Sequence, residues 1–464
     1  MPFTQLFLCI ALLASSAMAS QSYIIKMKSH NSQDLAAFTE SQGGTLSLIS
    51  EAGFLYEWTV KLAVDVDRFE APGVEYLERN RTISLFRNPS LEQIPESVKQ
   101  RYIDSQSGEA YFSRADNPEF KTPQSQGLGA DPMIPQCWGL DKVGAIQAFQ
   151  NQGQGDGIIV AVTDTGVDYN HQDLINNMWR NPGEIAGDEI DNDGNGYVDD
   201  IVGWDFAKDD NKPFDLTVSI LELLTGGGNP GHGTHVSGVI AAQYNNTLGI
   251  SGVAPKAKIM ALRFLTEKGQ GTTAHSIKAI DYAVANGANI INASWGSEQS
   301  EEPDQSLIET IQRAEKAGVI FVAAAGNGRQ GTGYDIDNDP KPTEPAIYNL
   351  ANMVTVAATD VEDKIAAFSN FGNKSVKVGA PGVKVLSTVP DNKYQDTVVN
   401  LGLMKVTWDG TSMAAPFVSG ALAVIWSSDR SLDYAEVRDR LLSNTQAIDD
   451  LDGKVETGGY IRLK

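Results

Sequence analysis

The sequence predicts an α/β protein with a doubly wound, mostly parallel sheet and helices on both faces, preceded by a small α+β unit. Three observations carry this prediction. From about Cys137 onward, apolar runs alternate with amphipathic helical stretches. The runs are almost continuous in Val, Ile and Ala, as strands covered on both faces are. The 44 glycines include several that stand just where a run ends.

In chain order, the runs predict strands over 157–163, 258–263, 288–293, 319–325 and 353–358. Helical spacing predicts helices over 232–243, 273–286, 305–317, 412–427 and 434–443. Sheets of this kind place their sites at the carboxyl ends of the strands. Ahead of them, 20–90 reads as the small unit, with strands at 23–27, 54–62 and 74–78 and a helix over 33–42. Residues 91–133 are polar, with little periodicity, and read as a linker. Residues 134–464 form the main domain.

The chain has 464 residues and is 41% hydrophobic, enough for a sizeable core. Its formal net charge of -23 argues against nucleic acid as a partner and supplies carboxylates for hard cations. Residues 1–19 read as a signal peptide: an apolar run over 7–13 is followed by Ala17-Met18-Ala19. The run is too short to span a bilayer, and no membrane span is expected later. The expectation is a secreted protein, extracellular or periplasmic. Cys9 leaves with the signal, so Cys137 stays without an intramolecular disulfide partner. Cys137 reads as a small buried apolar residue. Without a disulfide, bound metal is the natural source of extra stability.

Four short segments carry chemistry. The run 158–163 ends on Asp164, followed by Thr165-Gly166. A carboxylate at the end of a buried strand is costly unless paired, and an adjacent imidazole would pair with it. Asp168 is the rival, placed past the turn. His232 and His235 stand in Gly231-His232-Gly233-Thr234-His235, at the first turn of a helix. Two histidines three apart could hold a metal, but the zinc-peptidase pattern needs a Glu between them and none is present. Ser412 precedes an apolar helix whose free N–H groups favour developing negative charge. A lone Ser there is ordinarily an N-cap. Asn327, flanked by Gly326 and Gly328 after a strand, could donate to an oxyanion or simply serve a turn.

Together the Asp-Thr-Gly turn, the segment His232 to Gly238, Asn327 and Gly410-Thr411-Ser412-Met413-Ala414-Ala415-Pro416 closely resemble the subtilisin-like serine peptidases. The chain order Asp, His, Ser is the one the family uses. The resemblance implies a subtilisin-like fold and a serine endopeptidase that works through an acyl-enzyme. It implies that Asp164 orients the base His232, that Ser412 is the nucleophile, and that Asn327 completes the oxyanion hole. It also implies that Gly269 and Gly271, with Ser294, Trp295 and Gly296, flank an extended protein or peptide substrate. Ala325 and Gly326 would form a wall of the specificity pocket. The unit 20–90 resembles the family's inhibitory propeptide, so a zymogen is expected. A monomer is expected, with no further targeting domain after the peptidase.

Structural Ca2+ is the expected cofactor. In Asp191-Asn192-Asp193-Gly194-Asn195-Gly196-Tyr197-Val198-Asp199-Asp200, EF-hand register puts Asp191, Asp193, Asn195, Tyr197 and Asp199 at ligand positions, with Asp200 a substitute for the missing bidentate Glu. The resemblance implies a second calcium site from Asp173 and Asn246, with oxygens from Gln243, Leu248 and Ile250. The acidic stretch Asp335, Asp337, Asp339 could bind a cation or bias the cleft toward basic substrates, and reads first as a solvated loop.

Overall fold

The computed structural model describes residues 20–105, 119–123, 127–300, 302–402 and 404–464. The expected signal 1–19 and parts of the expected linker lie outside the described residues. The chain divides into two compact units, the first ending at Asn80 and the second beginning at Arg81.

The first unit is a four-stranded antiparallel sheet, in the order Thr45–Ser50, Leu55–Val60, Gln21–Met27, Val74–Arg79. The helix Ser32–Gln42 accompanies it, and its N-cap Asn31 accepts from the Gln33 amide. Phe38 from that helix joins Tyr23, Ile25, Tyr56, Trp58 and Leu77 in one core. Alternation along the strands puts these side chains on one face of the sheet.

The second unit is built on a nine-stranded sheet. Its order is Thr445–Ala447, Gly459–Ile461, Val376–Pro381, Met353–Thr359, Ile320–Ala324, Ile290–Ala293, Ile159–Asp164, Lys258–Arg263, Gly203–Asp205. All neighbours are parallel except the terminal pair Thr445–Ala447 and Gly459–Ile461. Val160, Val162, Ala261, Ile290, Ile320, Val322 and Val354 point to one side, where they pack with the helices His232–Ala241 and Thr411–Ser428. The residues between them, including Met260, Leu262, Ile291 and Phe321, are equally buried. They face the side that carries Thr273–Ala285 and Gln305–Lys316. Both faces are therefore dry, which explains why the strands read as unbroken apolar runs.

Thr411–Ser428 is apolar all round, and 16 of its 18 residues are buried. Among the described residues it is the one helix long and apolar enough to cross a membrane, but here it is the central core helix. The expected linker holds a helix, Glu96–Ser105, that helical spacing alone did not reveal.

Leu262 is fully buried in the central sheet. Leu262→Ala should destabilise the protein by about 2–5 kcal/mol. Urea unfolding should show this as a lower midpoint at an unchanged slope.

Candidate active site

Three secondary-structure ends converge. The central strand Ile159–Asp164 finishes on Asp164, the helix His232–Ala241 starts on His232, and Ser412 sits in the first turn of Thr411–Ser428. Asp164 is fully buried, with Oδ1 2.8 Å and Oδ2 3.0 Å from His232 Nδ1. The Thr165 amide also donates to Oδ1 at 2.7 Å. A carboxylate at Nδ1 assigns the proton there and leaves Nε2 as an acceptor. Nε2 is buried and has no hydrogen-bond partner among the described residues. Asp168 takes no part: its carboxylate accepts from the Asn170 and Asp391 amides, and burial pushes its pKa up to about 6. Gly233 is obligatory, since a Cβ there would lie 2.0 Å from the Gly166 carbonyl oxygen. That backbone contact brings helix and turn close enough for the pair to form.

The Ser412 hydroxyl donates to the Ser294 carbonyl at 3.1 Å, while Ser294 Oγ donates back to the Ser412 carbonyl at 2.9 Å. Ser294 Oγ in turn accepts from Asn292, whose Oδ1 accepts from Ser419. Asn327 is held from behind: its Oδ1 accepts from the Thr411 amide at 2.9 Å and the Thr411 hydroxyl at 3.0 Å. This fixes the amide and turns Nδ2 outward. Gly410 has φ 154°, and a Cβ there would meet Asn327 Nδ2 at 3.0 Å. Only a residue without a side chain leaves this donor free to reach a ligand.

The cleft is already filled by the chain itself. A second sheet runs Thr343–Glu344, Trp295–Glu298, Thr82–Leu85, Gln270–Thr272, antiparallel throughout. Thr82–Leu85 thus lies between the two segments expected to flank a substrate. Leu85 N donates to the Gly269 carbonyl at 2.8 Å, Ile83 pairs with Gly271, and Ser84 with Gly296. Trp295 contributes backbone only, because its indole is buried against Phe264 and Phe321. The Phe86 ring lies against Gly296, and Asn327 Nδ2 donates to the Arg87 carbonyl at 3.0 Å. An adjoining cavity of about 490 Å³ is lined by residues 84–88, His232, Asn327, Ser412 and others. Ala325 and Gly326 are buried behind the cleft, with the Gly326 amide donating to Thr411 Oγ1.

The other candidates resolve into packing. His235 Nε2 faces the Val385 carbonyl at 2.9 Å and its ring stacks on Trp408, with burial lowering its pKa to about 3. Burial pushes the Cys137 thiol up to about 12, which removes it as a nucleophile. Asp339 holds the Arg329 guanidinium, Asp337 accepts from the Lys374 and Ser375 amides, and Asp335 caps its own turn. That stretch is a partly exposed loop whose carboxylates are tied to Arg329 and to backbone amides. Asp215 was not visible as a site residue in the sequence. Fully buried, it accepts from Thr165, Thr234 and Asn229, which brace the Asp164 turn and the His232 helix.

The acidic loop closes on a different set from the expected register. Carboxylate oxygens of Glu184, Asp193 and Asp200 lie within 4.8 Å of one another. Asp191 instead accepts from the Gly194, Asn195 and Gly196 amides, and Asp199 from those of Gly187 and Glu189. Asn195 bridges Asp193 and Asp200 through Nδ2, while the Tyr197 ring packs against Trp204 and Tyr282. At the second expected site, Asn246 Nδ2 lies 2.7 Å from Asp173 Oδ1 and the Ile250 amide 3.3 Å from Oδ2. Asp131 joins them unforeseen: its carboxylate accepts from the Asn245, Asn246 and Thr247 amides. Burial raises the pKa of both Asp131 and Asp173, the latter to about 7, and neither has a cationic partner among the described residues. Two buried, unneutralised carboxylates fit a divalent cation.

The fold and these polar groups define a class, and comparison with known proteins gives it a name. The family model "Subtilase family" matches residues 155–458, and the chain belongs to that family. It is 30% identical over 340 residues to "Subtilisin-like protease 1" of Plasmodium berghei, covering 70% of this chain and 52% of that protein. It is 35% identical over 304 residues to "Thermophilic serine proteinase" of Bacillus sp., covering 65% and 58%. With "Thermitase" of Thermoactinomyces vulgaris it shares 34% over 294 residues, 63% of this chain and 83% of that one. The chain thus spans somewhat over half the length of the first two relatives.

Because His235 is neutral when folded, the unfolded chain binds the extra proton below about pH 6.5. The histidine's stabilising contribution is therefore lost as pH falls from 6.5 toward 3. Thermal or urea unfolding of the parent and a His235→Gln variant should show the difference in stability moving against the parent. The expected change is up to ~1.4 kcal/mol per pH unit in that window.

Proposed function

We propose that the chain is a secreted serine endopeptidase, made as a zymogen, that hydrolyses peptide bonds through an acyl-enzyme. The observation that carries this reading is the Asp164–His232 pair, set beside Ser412 and Asn327 in a cleft that holds an extended polypeptide.

In this mechanism Ser412 Oγ swings from the Ser294 carbonyl to His232 Nε2 and attacks the scissile carbonyl. His232 takes the hydroxyl proton, and Asp164 holds the ring and stabilises the imidazolium. Asn327 Nδ2 and the Ser412 N–H receive the oxyanion. His232 then gives the proton to the leaving amine. Water repeats the sequence to free the acid and restore the serine. Substrates are protein or peptide chains, bound by backbone hydrogen bonds to Gly269–Gly271 and Ser294–Gly296.

The zymogen reading rests on Thr82–Leu85, which occupies the substrate's place. Phe86 lays its ring against Gly296 in the substrate-flanking segment, so the maturation cut is proposed between Phe86 and Arg87. Export rests on the signal pattern of 1–19. Ca2+ is proposed at Asp131, Asp173 and Asn246, and at Glu184, Asp193 and Asp200, with Asp191, Asn195, Tyr197 and Asp199 shaping the second loop. Bound at the first of these, the ion would neutralise Asp131 and Asp173, whose charge burial otherwise disfavours.

Ser412→Ala should abolish peptidase activity and leave the 86–87 bond uncut. Activity retained by the purified variant would overturn the reading. Amino-terminal sequencing of the processed wild type should begin at Arg87; a start at Asn88 would instead single out the carbonyl that Asn327 touches.

Chelation separates structural from catalytic metal. A chelator should lower the thermal midpoint, by about 2.7 kcal/mol of stability if calcium had been present at a hundred times its Kd. Brief assays at 25 °C should retain activity. Immediate loss would point to a metallopeptidase.

A further inference from the structure

Arg81 stands just before the cleft strand, and its guanidinium enters an acidic recess. Nη1 lies 3.3 Å from Glu344 Oε2, Nε lies 3.5 Å from Asp304 Oδ1, and Nη2 donates to the Glu302 carbonyl at 2.6 Å. The Arg81 side chain is 17% exposed, whereas those of Asp304 and Glu344 are 2% and 1% exposed. The Thr273 amide donates to the Arg81 carbonyl at 3.0 Å, so backbone and side chain are both held.

The two carboxylates come from different elements. Glu344 belongs to Thr343–Glu344, on one edge of the sheet that holds the cleft strand. Asp304 is the N-cap of Gln305–Lys316, yet its side chain makes no cap hydrogen bond. An Asp at that position normally accepts from its own helix. Here Oδ2 accepts from the Thr273 hydroxyl, and Oδ1 accepts from no group while facing Arg81. Glu344 Oε1 accepts from the Asp304 amide. Among the described residues Arg81 is the one cation paired with either carboxylate. Burial raises the pKa of both, that of Glu344 to about 7. Two buried carboxyl groups thus share one guanidinium, and that guanidinium offsets the burial that disfavours their charged forms. Should residues 81–86 depart, both would be left buried without a counter-charge, a costly state that a new cation would relieve.

We propose that Asp304 and Glu344 form a specificity subsite for an Arg or Lys side chain of the substrate, five residues before the one that presents its side chain at Gly296. This rests on the peptidase reading. It adds a requirement far from the bond that is cut, and Arg81 is the natural occupant in the uncut chain. Recognition is by charge and by the planar fork of donors, so Arg should exceed Lys.

The test uses the processed enzyme and three peptides: residues 81–90 of this chain, and the same peptide with Arg81→Gln or Arg81→Glu. The expected order of kcat/KM is Arg over Gln by about tenfold, with Glu lower still. In an Asp304→Asn, Glu344→Gln enzyme the Arg-to-Gln ratio should fall toward one. The ratio is read within each enzyme, so a general loss of activity does not affect it. If that variant does not fold, the order among the three peptides on the wild type still decides. Equal cleavage of the three by the wild type, or a ratio that survives in the variant, would overturn the subsite while leaving the peptidase reading intact. A processed wild type that cuts none of them would overturn both.

Discussion

The structure depends on one buried charge. Asp164 ends the central strand with no exposed surface, where an unpaired carboxylate would cost several kcal/mol. Among the described residues no Lys or Arg pairs with it; its partners are the Thr165 amide and hydroxyl and His232. A second buried carboxylate, Asp215, holds the same Thr165 hydroxyl and the Thr234 amide and hydroxyl. Turn and helix are thereby clamped from two sides. Glycine at 166 and 233 allows the approach that the clamp requires. The His232 ring is fixed because the charge cannot be left bare, so stability of the turn and orientation of the imidazole are one requirement.

The contents of the cleft follow the same logic of hydrogen bonds needing partners. Gln270–Thr272 and Trp295–Glu298 each expose backbone groups that Thr82–Leu85 satisfies. The segment is out of step with the polar groups by one residue. Phe86 offers its ring at Gly296, but the carbonyl on Asn327 belongs to Arg87. For a strand rising about 3.3 Å per residue, that offset separates a bound bond from an aligned one. In the proposed zymogen, occupancy and cleavage are therefore separable events.

Most of the main domain was legible because both faces of its sheet are dry. Runs such as 159–163 and 353–358 have no polar alternation to confuse them, and their ends mark the site. Val376–Pro381 was missed because Lys377 interrupts the run; its amine is buried in an ion pair with Glu456. Thr82–Leu85 could not be read as a strand from four residues, since its pairing comes from segments nearly 190 and 210 positions away. The acidic loops show the same limit of local spacing. Local spacing picked out Asp191 and Asp199, which shape the loop, but gave no weight to Glu184 or Asp131, which arrive from outside it. Asn327 was readable as a donor, whereas Thr411, the residue that aims it, was visible only in three dimensions.

The place of Thr82–Leu85 between two antiparallel neighbours has a further meaning once that strand departs. What remains is a sheet lacking one member. A chain already folded into helices or strands has no free backbone to contribute. An extended stretch of some five or six residues does. The enzyme proposed above would, once that strand is shed, sort its targets by conformation before side chains matter, taking apart whatever has come undone and sparing what is well folded.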